Sequence, residues 1–393
     1  MNKQCVIFQY FVFIIFYEII LGQIVFICND RDGRNICIPC QNLVEKNVVL
    51  LNLMSRQTAT VPIALATDLL AGLDPGSLLV REAIAHAEIA PELLQEAGGR
   101  LTIEQFSKLY RQLALTLDDE TPCFFSRPLR NGTLKFLCLG MLSAANLDIA
   151  LHRFVSYFRL MLDDLGFEVT HLGGLTRIAL IEHVRLKGSR VLVHELMLKL
   201  VHGVASWMIG RKIPLAKVDF VFPRPARAPE YVYVFPGPAH FEQAQTALYI
   251  DSEYLAAPIR QDEGALSEFL RNAPADWLYV PFVDRILTHR MRDYLEPRLD
   301  NMPTVASTAR ALHFSVRTLS RRLAEEGTTF QVVKDELRRD LAILQLIKTE
   351  LPIAAIGSAV GFDDPATFNR AFKLWTGSTP GAYRRLGPGQ KAG

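Results

Sequence analysis

Two stretches decide the architecture: VASTARALHFSVRTLSRRLAEEG (Val305–Gly327) and LPIAAIGSAVGFDDPATFNRAFKLWTG (Leu351–Gly377). Each reads as a short helix, a tight turn and a second helix. In the first, Thr304 follows Pro303 and opens a helix over Val305–Leu312. Ala309 is small enough to let a crossing helix come close. Leu312 and Phe314 bracket the turn, and Ser315 caps a helix running to Glu326, with Leu319 and Leu323 facing inward and Gly327 ending it. In the second, Leu351-Pro352 opens Ile353–Val360, and Gly361-Phe362 makes the turn. Asp363 is expected to cap Asp364–Trp375, whose core face is Phe368, Phe372 and Trp375, and Gly377 stops it. Between the two units, Phe330–Ile347 reads as one amphipathic helix with Val333, Leu337, Leu341, Leu344 and Ile347 as its buried stripe. At 1.5 Å per residue it spans roughly 27 Å. Such a rod can hold two recognition helices about one DNA turn, or about 34 Å, apart.

The run Leu319–Gly327, the Leu337-Arg-Arg segment through Ala342, Gly361–Lys373, Thr376-Gly377 and Pro380 through Tyr383-Arg384 together resemble the AraC/XylS family of transcription regulators. The resemblance covers Pro303–Arg385. It implies that both recognition helices enter successive major grooves of double-stranded DNA. Carried over position by position, Arg317, Ser320 and Arg321 face bases from the first helix, and Thr367, Asn369 and Arg370 from the second. The side-chain chemistry agrees: Arg bridges guanine O6 and N7, Asn pairs with adenine, and hydroxyls suit a base or a phosphate. Lys373 and the helix N-termini hold phosphates. Two positions depart from the family pattern. His313 stands where Gly is usual, at a place that needs positive φ, which His tolerates better than most non-Gly residues. Gly357 replaces a small Ala inside a helix, at a cost of about 1 kcal/mol.

Upstream, the chain reads as an α+β body. Helices are expected at Pro62–Ala71, Gly76–Ala87 and Pro91–Leu117, the last broken at Gly98-Gly99, and over Leu134–Leu162 with a bend near Ser143–Asn146. Phe167–Leu172, Leu175–Glu182, Arg190–His194, Val218–Pro223, Tyr231–Phe235 and Ala247–Ile250 read as strands, Glu195–Ile209 and Phe282–Leu295 as helices. The expected fold is an α+β sensor domain followed by an all-α domain of two helix-turn-helix units joined by a linker helix. The boundaries are 54–281 for the effector and dimerisation domain, 282–302 for a linker helix, 303–386 for DNA binding and 387–393 for a tail. Leu93–Gly99 followed by Leu101–Leu117, Gly132–Ser143, and Val218–Pro223 with a strand near Tyr249 resemble the AraC/XylS branch with an arabinose-binding-like effector domain, which includes ornithine-responsive regulators. That resemblance implies an unnamed small-molecule effector, a homodimer and contact with RNA polymerase.

Charge agrees with this division. Residues 300–393 hold 13 Lys and Arg against 9 Asp and Glu, a balance of +4; since the whole chain is +2, the remainder is −2. A basic module on a mildly acidic body fits a DNA reader attached to something else. Enzyme signatures are missing. His194-Glu195 begins a zinc-protease pattern, but Leu198 stands where its second His belongs, and there is no G-x-S-x-G, Walker A or G-x-G-x-x-G. No cofactor or metal is expected. Asp118-Asp119-Glu120 and Asp163-Asp164 read as turns or helix ends, His152 and Arg153 as structural, and Trp207 and Trp277 as core packing.

Residues 1–53 differ in kind. They contain no Ala, whereas residues 54–393 contain 38. Val6–Ile27 is long enough to cross a bilayer, which takes about 20 residues, and Cys37-Ile-Pro-Cys40 lacks the second pair that a zinc site needs. Three readings fit: sequence appended ahead of a native start at Met54, outside the native fold; a membrane anchor, which would make the protein a membrane-anchored regulator; or a signal peptide. The composition break favours the first, and with it a cytoplasmic protein.

Overall fold

The change of composition at Met54 coincides with a structural division: residues 1–53 cluster as one unit and residues 54–393 as another. The computed structural model describes residues 26–29, 35–38, 60–186, 188–235, 237–274, 287–299 and 301–385. In the first unit β1 (Phe26–Asn29) pairs antiparallel with β2 (Asn35–Ile38), Ile27 opposite Cys37. The apolar run Val6–Ile27 lies outside the described residues except for its last two, and Cys40 and Trp277 also lie outside them.

The second unit opens with a strand pair that the sequence pattern misses. β3 (Thr60–Pro62) lies antiparallel to β4 (Arg100–Thr102), Val61 opposite Leu101. Three residues are too few to display a period, so Leu101 reads as part of the helix that follows. α1 (Ile63–Leu70) and α2 (Leu78–His86) lie between these strands. Thr102 then caps α3 (Ile103–Leu117) with a full capping box: its hydroxyl accepts from Gln105 N, and the Gln105 side chain accepts from Thr102 N. Phe106, Leu109 and Leu113 are its buried stripe. The bend at Ser143–Asn146 separates α4 (Thr133–Leu142) from α5 (Leu147–Met161), where Asn146 accepts from Ile149 N.

β5 (Leu165–Leu172) and β6 (Leu175–Glu182) form a hairpin about Gly173, whose φ of +64° suits glycine. Arg190–His194, expected as a strand, is instead the first turn of α6 (Arg190–Met208), with Ser189 accepting from Leu192 N. Val191 and Val193 raise the local strand preference. Tertiary burial overrides it, because α6 is enclosed on nearly every side and is therefore apolar all round. β7 (Lys217–Asp219) ends four residues before Pro223. Tyr231–Phe235, also expected as a strand, begins with the single-turn helix α7 (Tyr231–Val234). Tyr231 and Phe235 stand four residues apart, so a helical turn puts both rings against Phe220, each 5.2 Å away between centroids. β8 (Ala239–His240) and β9 (Ala247–Asp251) complete a five-stranded sheet in the order β5-β6-β9-β7-β8, antiparallel except between β7 and β8. α8 (Glu263–Asn272) packs on α4.

The acidic clusters are turns, as their composition implies. Asp119 accepts from Thr121 N, Cys123 N and Leu129 N, and Asp164 accepts from Ser126 N and its hydroxyl. His152 Nδ1 lies 2.9 Å from Asp148 O, and Arg153 donates to Gly140 O. Trp207 stacks on Phe269. His194 is buried between Thr246 Oγ1 and Glu182 Oε1, 2.8 Å from each. Among the described residues no group of three or more His, Cys, Asp or Glu side chains is arranged to hold a metal.

α9 (Leu287–Leu295) falls within the stretch expected to be a linker helix, and residues 282–286 of that stretch lie outside the described residues. Six helices follow: α10 (Val305–Ala311), α11 (Val316–Glu325), α12 (Phe330–Lys348), α13 (Ile353–Ala359), α14 (Pro365–Thr376) and α15 (Pro380–Arg385).

Candidate nucleic-acid interface

Local chemistry sets each helix-turn-helix. Thr304 accepts from Ser307 N and Ser315 from Thr318 N, fixing the starts of α10 and α11. The intervening turn puts His313 at φ +62°, the conformation that usually calls for glycine, and Phe314 N closes it on Ala309 O. Leu319 and Leu323 are fully buried beneath α11, while Arg317, Ser320 and Arg321 are exposed on its other side. The Arg322 guanidinium lies over the Phe314 ring, 4.8 Å from its centroid, and so braces the turn. Arg321 pairs with Glu325 one turn on. Both are solvent-exposed, so little holds that pair against a competing partner.

In the second unit Gly361 and Gly377 take φ +81° at the turn and at the helix end. The cap is Asp364, not Asp363: its carboxylate accepts from Ala366 N and Thr367 N, with Pro365 in the first helical position, where a missing N–H costs nothing. Hydrogen bonds from the Thr367 hydroxyl first, then from these amides, hold the Asp364 carboxyl below its ordinary range. Phe368 and Phe372 are fully buried, and Thr367, Asn369, Arg370 and Lys373 are exposed. Arg370 Nη2 donates to Thr367 Oγ1 at 3.2 Å, and that hydroxyl donates to Asp364 at 2.7 Å. All seven residues expected to meet DNA are therefore exposed, three on α11 and four on α14.

Gly357 has a role beyond its helix propensity. A Cβ there would stand 3.0–3.2 Å from three atoms of Phe368, which is itself held by Phe362 and Phe372. Gly357→Ala should therefore lose about 1 kcal/mol. The overpacking cost of about 1–3 kcal/mol outweighs the propensity gain of about 1 kcal/mol. A lowered denaturation midpoint checks this, and a raised one would show that α14 shifts freely.

Sequence reasoning misses the second face of α12. Glu336, Arg339 and Asp340 are buried, not solvated, because that face docks on the α+β body. Asp340 accepts from the Thr60 hydroxyl at 2.6 Å, from Arg292 at 3.0 Å and from Arg339 at 3.1 Å. Arg100 reaches Glu230 with both Nη atoms, at 2.7 and 3.1 Å, and Thr60 with Nε at 2.6 Å. Three guanidiniums thus face the carboxylates of Glu230 and Asp340, and the charge of Glu336 also acts on Arg100, the arrangement that makes buried charge tolerable. Burial alone would push the Asp340 carboxyl up, but Arg339, Arg292 and Arg100 outweigh it and hold it below its ordinary range. Tyr383 Oη donates to Arg100 O and accepts from Arg100 N. Glu326, at the end of α11, accepts from Leu287 N and Thr288 N and so caps α9.

The family described as the N-terminal arabinose-binding domain of AraC transcription regulators matches residues 72–259, and the helix-turn-helix domain family matches residues 308–386. The ornithine utilization regulator of Pseudomonas aeruginosa is 31% identical over 325 residues, covering 82% of this chain and 96% of that protein. The chain belongs to the AraC family. It is thus a DNA-binding transcription regulator with an effector-binding N-terminal domain, and not an enzyme. The arabinose operon regulatory protein of Escherichia coli is 29% identical over 144 residues, covering 32% of this AraC-family chain and 47% of that protein. Among solved structures, the regulator CdpR of Pseudomonas aeruginosa is 23% identical and covers 80% of this chain and 98% of its own, with a TM-score of 0.28.

Proposed function

We propose that α11 and α14 read successive major grooves on one side of a DNA duplex. Arg317, Ser320, Arg321, Thr367, Asn369 and Arg370 meet bases, and Lys373 meets a phosphate. The observation that carries this reading is the exposure of all seven side chains on two capped helices whose opposite sides are buried. Residues 303–386 form the DNA-binding domain, 282–302 the linker, and 54–281 the domain that binds the effector and pairs two copies. The regulator works in the cytoplasm, where DNA and RNA polymerase are found, and contacts the polymerase when bound beside a promoter. Hydroxyl-radical footprinting of the full chain on a sequence selected from random duplexes tests the DNA reading. The expected result is two protected segments on one side of the duplex, about 34 Å apart, with affinity falling steeply as salt rises. A single protected segment would leave one of the two helices without a role.

A further inference from the structure

We propose that the cavity lined by α3, α4, α5, α6 and α8 binds the effector, and that it takes an amphiphilic carboxylate, an anion carrying an aliphatic or aryl tail. This rests on the reading of residues 54–281 as the effector domain. The cavity holds about 570 Å³, within the range of about 300–1,000 Å³ usual for small-molecule sites. Its walls are apolar: Leu129, Leu137, Phe158, Leu196 and Leu200 line it. A polyhydroxylated ligand would leave buried hydroxyls unpaired there.

The polar groups divide by sign. Arg111, Lys135 and Arg271 also line the cavity, and all three are exposed, so their charges stand at its mouth. Arg111 is tied to Ala273 O at 2.9 Å. Lys135 and Arg271 make no hydrogen bond or ion pair among the described residues, so two cations are left to meet an anionic head. Among the described residues the one carboxylate in the lining, Glu120, is already committed. Its two oxygens accept from Gly132 N at 2.8 Å and Leu134 N at 2.7 Å, where α4 begins. Burial, helped by Asp119 and Asp118, pushes that carboxyl above its ordinary range. The lining thus offers an anion two uncommitted cations, and offers a cation only neutral acceptors and a carboxylate whose two oxygens are already bonded. The last turn of α8 and Ala273-Pro274 form part of the lining, and the next described element along the chain is α9, which Glu326 of the DNA-binding domain caps.

Calorimetric titration of the full chain with hexanoate, octanoate, decanoate, decanol and decylamine tests this. Affinity should rise about fourfold per added methylene, the equivalent of about 0.8 kcal/mol, and decanoate should bind at least tenfold more tightly than decanol or decylamine. K135Q/R271Q, two exposed substitutions, should weaken decanoate at least tenfold and leave decanol unchanged. Equal binding of the three ten-carbon probes, no binding of decanoate, or unchanged decanoate affinity in the double variant would overturn the proposal. Operator binding measured on the same samples separates it from the effector reading. Decanoate that binds as described without altering DNA affinity sinks the effector reading and leaves the ligand class standing. A DNA response to another class of compound, with no decanoate binding, does the reverse.

Discussion

Asp340→Ala should cost the 54–393 unit about 3–5 kcal/mol, the usual penalty for removing one partner of a buried ion cluster. The carboxylate is 3% exposed, and it is the acceptor shared by Thr60, Arg292 and Arg339. Without it, three guanidiniums face two carboxylates in a place that is largely shielded from water. The relief open to the protein is to separate α12 from the body, which hydrates the arginines and also exposes Tyr383 and its bonds to the Arg100 backbone. Denaturant unfolding should therefore show a lower midpoint, and limited proteolysis should separate the DNA-binding helices from the body. Loss of less than about 1 kcal/mol, with unchanged proteolysis, would show that this cluster does not hold the two parts together. The acid limb has a defined sign. Because the folded Asp340 carboxyl lies below its ordinary value, its contribution is complete above about pH 4 and disappears as pH falls through the lowered folded value. The variant should lack that step.

The same cluster explains what was legible in the sequence. Each helix-turn-helix is written in local chemistry: Thr304, Ser315 and Gly327 each act within a few residues of themselves, and His313 shows its unusual backbone through the glycine it replaces. At the second unit the local sequence places the cap one residue early, because Asp363 and Asp364 are chemically equal and Pro365 decides between them. The docking face of α12 could not be read at all. Glu336, Arg339 and Asp340 follow the three- and four-residue spacing of an ordinary solvated helix face, and their partners lie elsewhere, Arg100 240 positions away from Asp340. β3 and β4 hide for a related reason, since their pairing joins residues about 40 apart through strands of three. In Arg190–His194 and in Tyr231–Phe235 the local strand preference loses to burial. The cavity is likewise invisible in the sequence, because its lining comes from five helices and the turns between them.

Replacing both Arg321 and Arg370 by Ala should weaken operator binding by about 2–6 kcal/mol, from about thirtyfold to more than ten-thousandfold. A side chain that reads a base edge with two hydrogen bonds contributes about 1–3 kcal/mol of discrimination, and the two residues lie on separate helices, where effects on distant sites add. Stability should change little, since exposed substitutions stay within about 0.5 kcal/mol. The Arg321–Glu325 pair that is lost lies in solvent, where such pairs contribute little. Binding to random DNA should persist, carried by phosphate contacts, so the signature is a fall in the ratio of operator to random affinity and not in random affinity itself. Lys373→Ala gives the opposite pattern: a nearly uniform loss across sequences and a salt slope shallower by about one. Should the double variant keep its full preference for the operator, the bases are being read by other residues, and the assignment of these two arginines fails even though the helices that carry them stand.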